Sequence, residues 1–178
     1  MSNPVLEVTT EDSVHTEAIG AALANWLREG DVVLLHGDLG AGKTTLAKGI
    51  AQALRIDAVV SSPSFALVNE YDGGLLAPVA KLYHLDLYRL HGVEELASIG
   101  FEDYIAPTDG VTLIEWPERA AEVLPDRYLL IEFTAIGVNR RRLRITPTPV
   151  DDAWTQRFAD LRDRLTQQTT DHGTYQGQ

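Results

Sequence analysis

The sequence contains no cysteine, only three lysines and no long apolar run. Without cysteine the chain has no disulfide, no thiolate metal ligand and no cysteine nucleophile. No run approaches the roughly 18–20 apolar residues that a helix needs to cross a bilayer, and the first ten residues lack the basic and apolar segments of a secretory signal. From these absences we expect a cytoplasmic protein without a membrane-spanning segment.

Positive charge is also scarce, since 15 Lys and Arg residues face 26 Asp and Glu residues and give a formal net charge of −11. A protein that grips nucleic acid over a broad surface usually needs a basic face, so this balance argues against such a grip. Four arginines between Arg140 and Arg144 form the one basic concentration. They could touch a nucleic-acid backbone, but a solvated strand edge is the simpler interpretation.

The pattern of apolar residues predicts one α/β domain over residues 1–165. Two apolar runs, 31–36 and 111–115, are typical of strands buried on both faces of a sheet. Apolar residues at helical spacing predict helices over 13–27, 43–54 and 151–165. Further strands are predicted at 58–60, 65–71, 79–85, 128–136 and 142–146, with hairpin turns at Asp72–Gly74 and Gly137–Asn139.

This order of elements predicts a P-loop NTPase-like three-layer sandwich, with a mostly parallel central sheet and antiparallel hairpin additions. Residues 166–178 are polar and nearly free of apolar side chains. A segment of this composition cannot bury enough surface to offset the entropy of ordering, so we predict a disordered tail there.

A glycine-rich loop between a predicted strand and a predicted helix carries the strongest functional signal. Residues 37–44 read G-D-L-G-A-G-K-T and fit the pattern G-x-x-x-x-G-K-[ST]. Glycines let the backbone aim its N–H groups at phosphates, Lys43 should reach the β- and γ-phosphates, and the Thr44 hydroxyl should sit on Mg²⁺. The predicted nucleotide-binding residues are Asp38, Leu39, Gly40, Ala41, Gly42, Lys43, Thr44 and Thr45.

Loops of this kind usually have an acidic partner at the end of a buried strand. Glu115 ends the apolar run 111–115, and Asp86 ends a more alternating strand. The pattern favours Glu115 as the metal partner, directly or through water, and leaves Asp86 to orient the attacking water or to contact the metal from the other side. His84 is expected to be a hydrogen-bonded structural histidine. The predicted catalytic residues are therefore Lys43, Asp86 and Glu115, and the predicted metal residues are Thr44 and Glu115.

The glycine loop occurs in GTPases, kinases and ATPases, and other motifs in the sequence help to distinguish these classes. A switch-type GTPase needs an N-K-x-D base reader and a D-x-x-G turn, and the sequence contains neither. A small-molecule kinase usually carries an arginine-bearing lid, yet only Arg89 lies close in sequence to a candidate site residue. A kinase, and a scaffold that binds ATP but seldom hydrolyses it, stay open as alternatives.

With these residues in place, the chain resembles the TsaE (YjeE) family of bacterial ATPases over about residues 10–147. Five segments occur in the family's order: the glycine loop, then S-P-S-F-A-L-V-N-E-Y from Ser62, H-L-D-L-Y-R from His84, G-F-E-D-Y from Gly100 and L-I-E-W-P from Leu113. One departure is Ser64, where the family usually has threonine.

The resemblance implies an ATPase that supports threonylcarbamoyl-adenosine formation on tRNA. Such a protein would bind ATP and Mg²⁺, hydrolyse ATP slowly, and dock on the TsaD–TsaB complex that performs the transfer, so that tRNA is met only through that complex. By motif match, Lys43 and Thr44 would hold phosphate and metal, Glu115 would take the Walker B-like role, and Asp86 would be required for activity. The segment Ser62–Phe65 resembles the family's switch-like loop near the γ-phosphate.

Overall fold

The computed structural model describes residues 4–63 and 65–175. Within these residues, seven strands and four α-helices are joined by short loops and by two 3-10 helices at Val93–Ile99 and Pro117–Val123. The strands are β1 (Leu6–Thr10), β2 (Val32–His36), β3 (Val68–Asp72), β4 (Lys81–Asp86), β5 (Gly110–Glu115), β6 (Tyr128–Ala135) and β7 (Arg141–Thr148). The helices are α1 (Ser13–Ala24), α2 (Lys43–Ala53), α3 (Phe101–Ile105) and α4 (Asp152–Tyr175).

The strands form a single sheet in the order β1-β7-β6-β2-β5-β4-β3. Its centre is parallel, because β2 pairs in parallel with both β5 and β6, and β5 pairs in parallel with β4. The edges are antiparallel additions, β3 on β4 at one side and β7 and β1 beyond β6 at the other. This topology confirms the predicted α/β architecture with a parallel core and hairpin additions.

Two hydrophobic clusters cover the two faces of the sheet and make the three layers. One cluster joins α1, α2 and α4 to one face, and it includes Leu46, Ile50, Trp154 and Phe158. The other lies under the 3-10 helices and α3, around Phe101 and neighbouring apolar side chains. The central strands are buried from both sides, which explains why their sequences read as continuous apolar runs.

Helices α1 and α2 approach each other so closely that a side chain is excluded at the contact. A Cβ atom added at Gly49 would lie 2.0 Å from the carbonyl oxygen of Glu17. Glycine therefore lets α2 lie against the backbone of α1. The contact brings the first turn of α1, with Asp12 as its N-cap, beside the loop that precedes α2.

Three expectations about local structure are wrong. Residues 58–60 form no strand, although Val59 and Val60 have β-branched side chains that suit one, because no strand of the sheet pairs with them. The β3–β4 connection is an eight-residue loop, from residue 73 to residue 80, and not a tight turn at Asp72–Gly74. Helix α1 ends at Ala24, well before residue 27.

The polar segment after residue 165 is helical as far as the structure describes it. Helix α4 continues to Tyr175, so the predicted disordered tail is incorrect for residues 166–175, while 176–178 lie outside the described residues. Extending a helix that is already nucleated fixes one residue per hydrogen bond, so it can proceed without apolar contacts. Among the described residues, no helix combines the length and the apolar character needed to cross a membrane.

Candidate functional site

The glycine-rich loop lies at the carboxyl end of β2, in the middle of the sheet. It connects β2 to α2, whose N-cap, Gly42, has a left-handed backbone with φ of 108°. A Cβ at Gly42 would meet only ordinary contacts at 3.9 Å, so the need for glycine comes from the backbone angle and not from lack of space. The loop N–H groups and the N-terminus of α2 meet here, which makes an anion site.

Lys43, the first residue of α2, turns its side chain back into this loop. Its Nζ donates to the carbonyl oxygens of Gly37 at 2.6 Å and Asp38 at 2.9 Å. Burial lowers the pKa of the Lys43 ammonium group, while the nearby carboxylates of Glu115 and Asp86 act in the opposite direction. The ammonium group is thus a partly desolvated charge held by neutral carbonyls, which an anion can replace.

Thr44 and Glu115 connect the loop to the neighbouring strand β5. The Thr44 hydroxyl donates to Glu115 Oε1 at 2.9 Å. The same oxygen lies 2.9 Å from Nε2 of His84, a fully buried side chain on β4. His84 and Thr44 therefore fix the orientation of a carboxylate that is itself only 3% exposed.

Asp86 stands beside Glu115 at the carboxyl end of the adjacent strand, β4. The two residues are paired in the parallel register, which places two buried carboxylates side by side. Asp86 Oδ1 accepts from the backbone N–H of Tyr88 at 2.9 Å, and Oδ2 accepts from the Ser62 hydroxyl. The Asp86 carboxylate is thereby held by the segment that follows β4 and by the segment around Ser62.

An aromatic pair forms the remaining wall of this pocket. The Trp116 ring lies 4.2 Å from Lys43 Nζ, measured to its centroid, and 4.9 Å from the ring of Tyr88. Trp116 has a left-handed backbone with φ of 59°, a conformation that costs a tryptophan on the order of 1 kcal/mol. The cation–π contact and the ring packing offset that strain.

These groups line a pocket of about 260 Å³ beside the loop. A second pocket, of about 250 Å³, lies on the other side of the loop, next to the start of α1 and the β6–β7 hairpin. The two pockets share three loop residues, Gly40, Gly42 and Thr45. The second pocket is completed by Asp12, Ser13, Thr16, Asn139 and Arg141.

The oxygen atoms of the first pocket suit a magnesium ion. Hydroxyl and carboxylate oxygens are the donors that Mg²⁺ prefers, and Thr44, Glu115 and Asp86 supply them at one place. The described residues hold no group of three or more His, Cys, Asp or Glu side chains that could bind a metal unaided. Magnesium ions in nucleotide sites are usually held by one or two carboxylates together with phosphate oxygens and water.

The structure brings nearly all the sequence-predicted site residues together. Seven of the eight predicted nucleotide-binding residues, together with Asp86 and Glu115, line the first pocket. The exception is Asp38, which is exposed and contributes its carbonyl group to Lys43. Ser64 lies outside the described residues, so the predicted switch-like segment Ser62–Phe65 is described only in part.

Two further residues that line the pocket, Tyr88 and Trp116, were not among the predicted site residues. Ser62 also lines it and is the first residue of the predicted switch-like segment. Tyr88 and Trp116 follow the ends of β4 and β5, where side chains meet at the carboxyl edge of a parallel sheet. His84 is hydrogen-bonded, as predicted, but its partner is Glu115, and only the β4–β5 register reveals that pairing.

Comparisons with known proteins converge on a single family. The family model described as "Threonylcarbamoyl adenosine biosynthesis protein TsaE" matches residues 10–143. The "tRNA threonylcarbamoyladenosine biosynthesis protein TsaE" of Bacillus subtilis is 38% identical over 141 residues, which cover 79% of this chain and 85% of the relative. That of Nostoc is 41% identical over 139 residues, 76% of this chain and 82% of the relative. The crystal structure of Bacillus subtilis YdiB matches with a TM-score of 0.69 and 32% identity, and covers 94% of this chain and 97% of that one.

Proposed function

Since the chain belongs to the TsaE family, whose members act in tRNA threonylcarbamoyladenosine biosynthesis, we propose that it binds and hydrolyses MgATP in support of that modification. The observation that carries this proposal is the joining of Lys43, Thr44 and Glu115 in one pocket at the end of β2. Phosphoryl transfer needs mainly positioning and charge stabilisation, and this pocket offers both.

The loop and Lys43 would hold the triphosphate. Lys43 Nζ exchanges its carbonyl partners, Gly37 and Asp38, for the β- and γ-phosphate oxygens, which are stronger acceptors because they are charged. The N–H groups around Gly42 and the start of α2 face the same phosphates. Binding therefore uses a cation that the fold has already desolvated.

Thr44 and Glu115 would hold the magnesium ion, directly or through water. When bound, the ion neutralises charge that develops on the phosphate oxygens. Glu115 would keep its orientation even if the Thr44 hydroxyl served the ion, because His84 is also hydrogen-bonded to Glu115 Oε1. His84 thus acts as a positioning residue for the carboxylate.

Asp86 would orient the attacking water. It lies beside Glu115 and is held by Tyr88 and Ser62, so its carboxylate faces the phosphate end of the pocket. An anchored carboxylate can accept a hydrogen bond from water and align it with the γ-phosphate. The alternative, a direct contact with the metal, uses the same position.

The second pocket would receive the nucleoside. The carboxylates that attract the metal lie on the β5 side of the loop, so the phosphate chain extends along Gly42 and Thr45 toward the β6 side. Asp12 and Asn139 offer polar groups there for the sugar and the base. We assign ATP as the nucleotide because of the family and because the N-K-x-D guanine reader is missing from the sequence.

We propose the TsaD–TsaB complex as the partner, with tRNA engaged only through it. The net charge of −11 opposes a direct grip on the RNA phosphates over a broad surface. A pull-down of tagged chain with purified TsaD and TsaB homologues, with and without ATP, tests this assignment. Nucleotide-dependent recovery of the two proteins is expected, and recovery of neither would contradict the partner assignment.

Phosphate release tests the activity itself. Mg²⁺-dependent release of inorganic phosphate from ATP is expected for the wild type and should fall by about 100-fold or more in Glu115→Gln, since the metal-binding carboxylate is lost. Glu122→Gln is the matched control, because Glu122 is exposed and lies outside both pockets. A phosphorylated acceptor in place of phosphate would indicate a kinase, and pathway activity that survives Glu115→Gln would indicate an ATP-gated scaffold.

A further inference from the structure

The β-strand alternation divides the arginine cluster at the start of β7. Arg141 is half-buried on the side of β7 that carries the buried residues Leu143 and Ile145, whereas Arg142 and Arg144 are exposed. Arg144 pairs with Glu132 across the hairpin at 3.4 Å. Arg142 and Arg144 face solvent as predicted, although β7 is not an edge strand, because β1 pairs with its outer side. Arg141 does not fit the prediction of a solvated side chain.

The guanidinium group of Arg141 joins two separate backbone segments. Its Nε donates to the carbonyl oxygen of Ala41 at 3.1 Å, and one terminal nitrogen donates to that of Gly40 at 3.4 Å. The other terminal nitrogen reaches the hairpin carbonyls of residues 137, 138 and 140, at 2.9 to 3.3 Å. The rigid fork of an arginine can hold both segments at once, which a lysine ammonium cannot do in the same way.

The contact with Ala41 determines where a phosphate-binding N–H points. In a planar trans peptide the C=O and the following N–H point in opposite directions. Because Arg141 draws the Ala41 carbonyl toward the hairpin, the N–H of Gly42 is directed away from it. The N–H of Ala41 is already used within the loop, where it donates to the Asp38 carbonyl at 3.1 Å.

We propose that Arg141 is a positioning residue for the phosphate loop. It holds the Ala41–Gly42 peptide so that the Gly42 N–H faces the phosphates, and it adds a fixed positive charge beside an anion site. The inference rests on the proposed binding of ATP at this loop. It also links the loop to the hairpin tip, where Val138 is 93% exposed.

Arg141 lines the second pocket as well, so direct contact with the nucleoside is the competing role. Inorganic tripolyphosphate separates the two roles, since it has the phosphates and no nucleoside. A loop-positioning residue affects both ligands by the same factor, whereas a nucleoside contact affects ATP alone.

The test measures the affinities for MgATP and for magnesium tripolyphosphate in Arg141→Ala and Arg141→Lys. We expect each variant to weaken both ligands by about tenfold or more, the worth of a hydrogen bond to a charged group. Arg142→Ala, one residue along on the exposed face, is the matched control and should change neither affinity by more than about twofold. Loss of ATP affinity alone, unchanged affinities, or full rescue by lysine would each overturn the proposal.

Amide hydrogen exchange of the ligand-free variants supplies a readout that does not depend on nucleotide. Exchange should become faster in the loop peptide around Ala41 in both Arg141 variants, while peptides from α4 keep the wild-type rate. Unchanged exchange in this loop would overturn the proposal that Arg141 positions it. If the wild type bound neither ligand, the proposed function would fail, and the exchange result would still decide whether Arg141 orders the loop.

Discussion

The molecule contains two arrangements of a basic side chain, tryptophan and a carboxylate, and they differ in how fully the charge is satisfied. At the end of β2, Lys43 lies against Trp116, close to Glu115, and donates to backbone carbonyls. On the other side of the domain, Arg157 of α4 lies against Trp26 and Trp154, with ring centroids 4.5 and 5.0 Å from its guanidinium carbon.

Arg157 is bound to a carboxylate by two hydrogen bonds. Its terminal nitrogens donate to the two Asp31 oxygens at 3.0 and 2.6 Å, and its carbonyl oxygen accepts from Trp26 Nε1 at 2.8 Å. A bidentate pair of this kind leaves little charge for a ligand. Lys43, by contrast, is held by neutral acceptors that a phosphate can displace.

The two arrangements also differ in their relation to the family. The Lys43 arrangement lies entirely within residues 10–143, which the family model matches, whereas the second arrangement takes Arg157 and Trp154 from α4, which begins after that segment. A buried cation beside an aromatic ring can therefore serve either ligand binding or stability. The hydrogen-bond acceptors around the cation, neutral carbonyls at Lys43 and a carboxylate at Arg157, decide which. Changes near Arg157 should therefore alter unfolding, and changes near Lys43 should alter ligand affinity.

The largest stability effect is expected from Trp154→Ala. Trp154 of α4 is fully buried and stacks on Trp26, and its removal leaves a cavity that should lower the free energy of unfolding by about 3–5 kcal/mol. The nucleotide affinity of the folded protein should not change, because Trp154 lies outside both loop pockets. Urea denaturation and an ATP titration measure the two quantities, with Gln156→Ala on the exposed face of α4 as the control. A large loss of nucleotide affinity in the folded variant would refute the assignment of stability to this arrangement and of ligand binding to the one around Lys43.

Lys43→Ala should do the opposite of Trp154→Ala, because it should weaken nucleotide binding without lowering the free energy of unfolding. The loss of two charged contacts to phosphate is expected to weaken ATP binding by about 100-fold, while the free energy of unfolding stays the same or rises, because a partly desolvated cation is removed. Titration with a fluorescent ATP analogue and thermal unfolding measure these effects. Lys48→Ala is the matched control, since Lys48 lies on the exposed face of the same helix. Wild-type affinity in Lys43→Ala would show that the site is misassigned.

Arg157→Met tests the bidentate pair of Arg157 and Asp31, and its expected effect on the free energy of unfolding is smaller. The variant keeps an apolar stem against the tryptophans but leaves Asp31 without its bidentate partner, which should cost about 2 kcal/mol of unfolding free energy. Arg164→Met, about two turns along the same helix, breaks an exposed pair with Asp160 and should cost less than about 0.5 kcal/mol. Equal losses in the two variants, measured by urea denaturation, would show that burial of the Arg157 pair has no consequence.

The smallest expected effect is a pH dependence of stability that comes from Lys43. Burial places its folded-state pKa below the ordinary value of 10.5, so the folded protein binds fewer protons than the unfolded chain between those two values. Wild-type stability should thus rise relative to Lys43→Met as pH increases through the folded pKa toward 10.5. Denaturation curves of both proteins between about pH 7 and pH 10 measure the difference. A difference that stays constant over this range would contradict a desolvated Lys43.

Much of this site can be predicted from the sequence because its residues follow local rules. A glycine loop between an apolar strand and a helix predicts an anion site, and acidic residues that end buried strands are brought to the same edge of a parallel sheet. Lys43, Thr44, Asp86 and Glu115 were found in this way, and the structure brings them together. Their roles in binding and catalysis stay predictions.

What the sequence could not supply depends on register and on tertiary packing. Alternation with Leu143 and Ile145 places Arg141 on the buried side of β7, but its contact with the glycine loop depends on how the β6–β7 hairpin packs against that loop. The contact of His84 with Glu115 requires the β4–β5 pairing. The prediction of a strand at 58–60 is wrong because β propensity does not show whether a segment will find a partner strand.

One experiment can test whether Lys43 serves nucleotide binding and Arg157 serves stability. It measures the thermal unfolding of the wild type, Lys43→Ala and Arg157→Met, each with and without Mg²⁺ and a nonhydrolysable ATP analogue. A ligand that binds only the folded state raises the melting temperature. We predict this rise for the wild type and Arg157→Met and its loss in Lys43→Ala, while only Arg157→Met melts at a lower temperature without ligand. A full nucleotide-induced rise in Lys43→Ala would contradict the account.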